Sequence, residues 1–290
     1  MLGAKHVMNI GLLHPGAMGA TIGAAMVPNA EAVMWLPAGR SDASRERAIR
    51  AGLTAADSLK SLCLNCEVIV SVCPPHAATT CAEDVINSKF TGIYVEANAI
   101  SPEKTLSIQN RLQSAGINMV DGGIIGGPAW PGKNNPDADP RSLTQLYLSG
   151  YEATKICRLF EDSEFATTCL SEAVGDASAL KMAFAAYTKG STALLTAIVS
   201  VAEYYGVRNA LENQWGETMT QRTHQQLITN SSKAWRFSGE MREIANTFKT
   251  AGNSDGFHLA AADTFDKLSD HKDWQQAPSL NEILESLKKN

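Results

Sequence analysis

The run Val7-Met8-Asn9-Ile10-Gly11-Leu12-Leu13 passes without a break into His14-Pro15-Gly16-Ala17-Met18-Gly19 and then into Ala20-Thr21-Ile22-Gly23-Ala24-Ala25-Met26. This reads as a buried strand, a tight turn and a small-residue helix. In that layout the free N–H groups and dipole of the helix N-terminus can hold a pyrophosphate. Gly16 stands where the backbone must approach the phosphates, and Gly19 where the helix must pack closely on the strand. The first glycine of the usual Gly-x-Gly-x-x-Gly pattern is here His14. The same residues also describe a plain strand-to-helix turn, so the context decides. The expected cofactor contacts on this turn are His14, Pro15, Gly16, Ala17 and Met18.

A second strand, Ala32 to Leu36, follows at βαβ distance and leads into Pro37-Ala38-Gly39-Arg40-Ser41. NAD sites usually place an acid at the end of this strand for the ribose hydroxyls. NADP sites place an Arg and small hydroxyl residues around the 2′-phosphate. No acid stands here. Arg40 can form a charge-assisted pair with that phosphate, with Gly39 and Ser41 beside it and Arg45 or Arg47 on the next helix. NADP(H) is the expected cofactor.

Strands and helices continue to alternate: Glu67–Cys73, Gly92–Ala97 and Ile117–Val120 as strands, Ala77–Asn87 and Pro102–Ala115 as helices. Leu143–Ser149 reads as a late strand, Glu152–Phe160 as a helix and Phe165–Leu170 as a short link. The pattern is a doubly wound, Rossmann-type parallel sheet of the α/β class. Such sheets bind ligands at the carboxyl ends of their strands. Here those ends are Cys73-Pro74-Pro75-His76, Asn98 to Ser101, and Asp121-Gly122-Gly123-Ile124-Ile125-Gly126-Gly127-Pro128. From Asp176 to about Tyr205 a long Ala-, Leu- and Thr-rich helix begins. The rest reads as helices broken near Gly206, Asn230 and Ala251–Gly256. The expected division is therefore residues 1–172, a nucleotide-binding domain, and 173–290, an all-α substrate and dimerisation domain.

At 290 residues with a net charge of −5, the chain has no basic tract for a nucleic-acid partner. His14 and Pro15 interrupt the apolar N-terminal run, and no later stretch reaches the ~20 apolar residues of a membrane span, so no membrane and a cytoplasmic location are expected. Six cysteines, including Cys63-Leu64-Asn65-Cys66, read as reduced core thiols rather than a disulfide frame.

Lys181 lies in the apolar segment Ala177–Tyr187, with nothing acidic nearer in sequence than Asp176. Such surroundings disfavour the ammonium form and let a lysine exchange a proton with a carbonyl oxygen. A lysine that snorkels to the surface is the other reading. Tyr187 and Lys189 fall on other faces of the helix.

The turn ending Ala17-Met18-Gly19, Gly39-Arg40-Ser41, Asn98 with Ser101-Pro102, Asp121–Gly127 and the Gly175…Lys181 spacing together resemble the β-hydroxyacid dehydrogenase and 6-phosphogluconate dehydrogenase superfamily, over most of the chain. The C-terminal part, with Trp235–Ala245 and Gly256-Phe257-His258, is similar to a subgroup whose helical domain has no known function. The resemblance implies that Lys181 is the acid/base and that Asn98 contacts nicotinamide or substrate. It also implies that the Asp121–Gly127 loop holds the substrate through Gly122, Gly123, Gly126 and Gly127, and that the protein is a homodimer. Imine reductases and reductive aminases share the architecture, usually with Asp or Tyr in place of Lys181.

Departures point to a substrate larger and less anionic than a simple 3-hydroxy acid. Ile125 stands for a Ser, Ala185 for an Asn, and Glu240-Met241 for a Lys-Asp pair. Trp130, Phe184 and Tyr187 are the candidate apolar walls, with Glu240 facing a hydroxyl or amine. The expected activity is NADP-dependent hydride transfer to or from a small hydroxy or carbonyl compound, without metal. The alternatives are a reductive aminase and a nucleotide-sensing protein without turnover. His14, His76 and His258 each could line the cleft or cap a turn.

Overall fold

The computed structural model describes residues 8–132, 143–273 and 276–288; Val7, the expected first strand residue, lies outside them. The chain divides into Met1–Lys181 and Met182–Asn290.

Among the described residues the first unit holds eight strands: β1 (Asn9–Leu12), β2 (Ala32–Trp35), β3 (Thr54–Ala55), β4 (Val68–Ser71), β5 (Ile93–Glu96), β6 (Asn118–Ile125), β7 (Thr144–Ser149) and β8 (Phe165–Ser171). Six helices connect them: α1 (Ala17–Met26), α2 (Asp42–Arg50), α3 (Leu59–Asn65), α4 (Ala78–Asn87), α5 (Pro102–Ser114) and α6 (Ala153–Cys157). The strand order is β3-β2-β1-β4-β5-β6-β7-β8. The chain winds outward from β1 through β2 to β3 and then returns to β4 on the other side of β1. The loops after β1 and β4 thus flank the point where winding reverses, the crevice in which such sheets bind ligands.

Both faces of the sheet are covered. Ile10, Leu12, Val68, Val70, Ile93 and Val95 enter one core, while the intervening Ile69 and Tyr94 enter the other. This period-two alternation between two buried faces explains why the central strands are nearly all apolar. Cys63 and Cys66 belong to the second core, where burial pushes their thiols up to about 11 and about 12.

The sheet departs from the expected pattern at one side. β7 runs antiparallel to β6, with Asp121 opposite Ser149, and β8 then pairs parallel to β7. An antiparallel return needs no crossover helix, and nothing in an apolar run fixes its direction. The link expected at Phe165–Leu170 is the edge strand β8. The glycine-rich stretch expected as a loop from Asp121 continues β6 to Ile125, buried as far as Ile124.

The long helix α7 (Asp176–Tyr204) begins in the first unit and the boundary between units falls within it, after Lys181 rather than near residue 172. Its first turns belong with the sheet because Ser178 Oγ lies 2.9 Å from Thr105 Oγ1 on α5, and Ala177 N donates to Ser149 Oγ on β7 at 3.1 Å.

The second unit is helical: the rest of α7, α8 (Arg208–Ser231), α9 (Ala234–Thr250), α10 (Gly256–Asp266) and α11 (Leu280–Leu287). Helix α8 bends at Gly216, which takes a non-helical φ of 76°. Helices α9 and α10 pack through Phe237 and Phe265, edge to face at 5.4 Å, with Met241 and Ile244 buried beside them. A capping box of Ser279 and Glu282 starts α11. Among the described residues no helix is long and apolar enough to cross a membrane.

Candidate functional site

The turn after β1 is built around close approach. A Cβ on Gly19 would stand 2.0 Å from the His14 carbonyl oxygen, so only glycine lets α1 seat on the turn. Gly16 is the N-cap of α1, with no side-chain cap and no acidic residue in the first turn, and a Cβ there would meet nothing within 4 Å. The positive end of this helix therefore has open space and no counter-charge of its own, which fits an anionic group. Arg47 reaches back from α2 and donates to the Pro15 carbonyl at 3.3 Å. Gly39, with φ +70°, turns the chain ahead of Arg40, whose Nε is buried without a hydrogen-bond partner. Ser41 Oγ is the N-cap of α2, accepting from Ser44 N at 3.4 Å, so this hydroxyl already holds a helix end.

The loop after β4 is tied to β5. Asn98 is buried, its Oδ1 accepts from the Cys73 backbone N–H, its Nδ2 donates to Ser71 Oγ at 3.1 Å, and its own N–H donates to Glu96 Oε1 at 3.1 Å. Asn98, expected to face nicotinamide or substrate, braces Cys73 and the Pro74-Pro75 turn. These bonds fix the amide's orientation and use one Oδ1 lone pair and one Nδ2 hydrogen, half of its hydrogen-bonding capacity. His14 Nε2 lies 4.0 Å from Cys81 Sγ, and Cys81 Sγ lies 3.9 Å from Cys73 Sγ. Hydrogen bonding with Cys73, and then with His14, lowers the pKa of the Cys81 thiol against its burial. Cys81 had no signal in the periodicity of α4, since the grouping exists only once β1 and β4 are neighbours.

Beneath Asn98, Glu96 is fully buried and its Oε2 has no hydrogen-bond partner. Burial pushes its carboxyl up from 4.5 to about 8, against hydrogen bonds from Asn98. Between those two values the folded chain holds a proton that the unfolded chain has released. Its contribution to stability is full below pH ~4.5 and is lost as pH rises toward ~8, by up to ~1.4 kcal/mol per unit. Glu96→Gln should flatten this decline, measured as urea midpoints of variant and wild type between pH 5 and 9; parallel curves would assign the slope to other groups.

At the far end of β6, Lys181 Nζ donates to the Ile124 carbonyl at 2.5 Å. The helix that carries it is anchored by Asp121. Asp121 Oδ2 accepts from Gly175 N at 3.0 Å, Ser178 N at 2.9 Å and Ser149 Oγ at 3.2 Å, and Oδ1 accepts from Ser178 Oγ at 2.6 Å. Burial raises this carboxyl and the four donors work against that rise. A carboxylate at the N-terminus of α7 also meets the helix dipole favourably. The expected substrate loop thus performs a different task in its first half. Gly122 and Gly123 lie buried in the strand, and a Cβ on Gly123 would come 2.5 Å from the Ala177 carbonyl oxygen and 3.3 Å from Lys181 Cβ. The missing side chain of Gly123 admits α7, whereas a Cβ on Gly122 would face β5 and its following loop, 3.2 Å from Ala97 Cβ. Gly126 and Gly127 are exposed at the strand end, where Thr144 Oγ1 donates to the Gly127 carbonyl at 2.6 Å.

Trp130 is half-buried under the Arg50 guanidinium, 3.9 Å above its ring, and packs on the first core, so it is not a free wall. Phe184, Tyr187 and Glu240 belong to the second unit. There Phe184 is 44% and Tyr187 72% exposed. Glu240 pairs with Lys189 at 2.5 Å, both nearly buried, so its carboxylate already has a cation where a substrate hydroxyl or amine was expected. His258 is buried against Phe248 and Phe257, and burial lowers its pKa, as for a core histidine; His76 is exposed.

Residues 9–133 match the model for the NAD binding domain of 6-phosphogluconate dehydrogenase, and residues 202–268 match a domain of unknown function. The first unit thus carries the NAD-binding domain of the 6-phosphogluconate dehydrogenase type. This match makes the first unit an NAD(P)-binding domain and supports the coarse activity of a pyridine-nucleotide-dependent oxidoreductase.

A curated relative, an uncharacterised 28.5 kDa protein of Methanothermus fervidus, is 26% identical over 204 residues, covering 70% of this chain and 74% of its own. A conserved protein of unknown function, described as structurally similar to 3-hydroxyacid dehydrogenases, is 25% identical with a TM-score of 0.61, over 91% of this chain and 98% of its own. Two more distant structures share the fold. The 3-hydroxyisobutyrate dehydrogenase of Mycobacterium tuberculosis has a TM-score of 0.66 at 14% identity, over 97% and 99% of the two chains. An imine reductase of Myxococcus stipitatus, in complex with NADP+, has 0.52 at 16%, over 96% and 99%.

Proposed function

We propose that the protein is an NADP(H)-dependent dehydrogenase or reductase that acts on a small hydroxy or carbonyl compound with Lys181 as acid/base. The observation that carries this reading is the Lys181 ammonium at the Ile124 carbonyl, on a helix whose N-terminus is clamped by Asp121. The uncapped N-terminus of α1, Gly16, Arg47 and Arg40 are the groups that would hold the dinucleotide's phosphates. When bound, the dinucleotide supplies or accepts the hydride.

Lys181 gives a proton to the developing alkoxide during reduction and removes it during oxidation. The carbonyl of Ile124 fixes the direction from which the ammonium acts, and the exposed Gly126-Gly127 backbone offers polar groups beside it. Asn98 and Glu96 set the position of the Cys73-Pro74-Pro75 loop. Exposed Leu194, Val201 and Tyr204 on α7 support a homodimer within the same reading.

Fluorescence titration with NADPH and, separately, NADH tests the cofactor assignment. NADPH should bind more tightly, and Arg40→Ala should weaken it roughly 10- to 100-fold while sparing NADH, as expected for one charge-assisted phosphate contact. Equal affinities unaffected by the substitution would overturn the NADP preference. Turnover of carbonyls only in the presence of an added amine would favour the reductive aminase, and tight binding without any turnover the sensor.

A further inference from the structure

We propose that His14, Cys73 and Cys81 form a binding site for one thiophilic divalent cation, with zinc as the ion of choice. The three residues come from separate segments, the turn after β1, the loop after β4 and the first turn of α4. They meet because the winding reverses between β1 and β4.

Their ligand atoms all lie within 4.8 Å of one another, with 3.9 Å between the two sulfurs and 4.0 Å from His14 Nε2 to Cys81 Sγ. Around a tetrahedral ion with metal–sulfur bonds of ~2.3 Å and metal–nitrogen bonds of ~2.0–2.1 Å, neighbouring ligand atoms stand ~3.5–3.8 Å apart. Closing onto an ion therefore takes shifts of about 1 Å or less. A disulfide would demand that the sulfurs approach to ~2.05 Å, a much larger movement.

The donor set is chemically selective. One imidazole and two thiolates suit zinc and similar ions, whereas magnesium and calcium require oxygen ligands, which this trio lacks. Two thiolates also balance a divalent charge. The ligands are braced in advance: the Cys73 N–H is held by Asn98, and the following Pro74 and Pro75 stiffen the loop. Three protein ligands leave a fourth position for water or another small donor. This site does not depend on which dinucleotide the protein prefers.

The test uses full-length protein, stripped with a chelator and kept reduced with a phosphine, titrated with cobalt(II) and then zinc(II). One equivalent of cobalt should produce thiolate-to-cobalt charge-transfer absorption and the intense visible bands of a four-coordinate ion, and zinc should bleach both. Cys81→Ser should weaken zinc by ~100-fold or more, since even loss of an outer-shell partner costs 10- to 100-fold. Cys66→Ser, in the separate Cys63–Cys66 pair, should leave binding unchanged. In the unaltered protein zinc should protect Cys73 and Cys81 from iodoacetamide, a readout that requires no variant. Absence of the charge-transfer band, a band of unchanged intensity and cobalt affinity in Cys81→Ser, or alkylation indifferent to zinc would each overturn the proposal.

Discussion

Lys181→Ala is expected to lower kcat by ~10²- to 10⁴-fold, the usual contribution of a positioned general acid or base, while NADPH affinity stays close to wild type. The side chain reaches a backbone carbonyl at the end of β6, so its loss also removes a charge-assisted hydrogen bond worth ~1.5–3 kcal/mol. Stability and chemistry must therefore be separated. Melting curves report the first, and single-turnover rates at a temperature where the variant is fully folded report the second. Lys181→Arg keeps the charge and can keep the bond to Ile124, but a guanidinium does not release a proton near neutral pH. Activity lost in both variants assigns proton transfer to Lys181. Activity retained in Lys181→Arg assigns it a fixed positive charge, and activity retained in Lys181→Ala reduces it to a tie between α7 and β6.

Much of the first unit was legible because its physics is local. A strand buried on both faces must be an apolar run, and a helix that seats on a turn through Gly19 must lack a side chain there, so β1, α1, β4 and β5 emerge from the residues alone. The breaks near Gly206, Asn230 and Ala251–Gly256 likewise match the helix ends of the second unit. What escaped reading was non-local. The two-residue strand β3 is exposed and carries no apolar pattern. The direction of β7 is a property of how the chain returns, not of Leu143–Ser149. Asp121-Gly122-Gly123 has the composition of a loop, yet it is strand, and Gly123 is there to admit α7, which only the pairing with β7 and the position of Ala177 reveal. The partners of Asn98, Cys81 and Glu240 are distant in sequence, so their roles were open until the fold closed around them.

Asp121 follows from the same lesson, and its removal is the second large effect. Asp121→Ala would strip the acceptor from Gly175 N, Ser178 N, Ser178 Oγ and Ser149 Oγ together, inside a buried pocket. Buried donors left without a partner cost about 1–3 kcal/mol each where water cannot replace the acceptor, and relaxation recovers part of that sum. A loss on the order of 3–5 kcal/mol is expected, read as a lower unfolding midpoint and as faster amide exchange in the first turns of α7. Asp121→Asn is milder, because one amide oxygen can still serve the three donors at Oδ2 while the NH2 faces the Ser178 hydroxyl, which can turn to accept. Lys181 lies only five residues beyond the first residue of α7, so even this gentler change should reduce kcat while leaving NADPH affinity intact. Ser178→Ala, which removes one donor and leaves the carboxylate in place, separates the two contributions: it should cost less stability than Asp121→Asn and keep most of the activity. If Asp121→Asn were fully active and as stable as wild type, the clamp would not set the position of Lys181, and the lysine would owe its place to the close packing of α7 at Gly123.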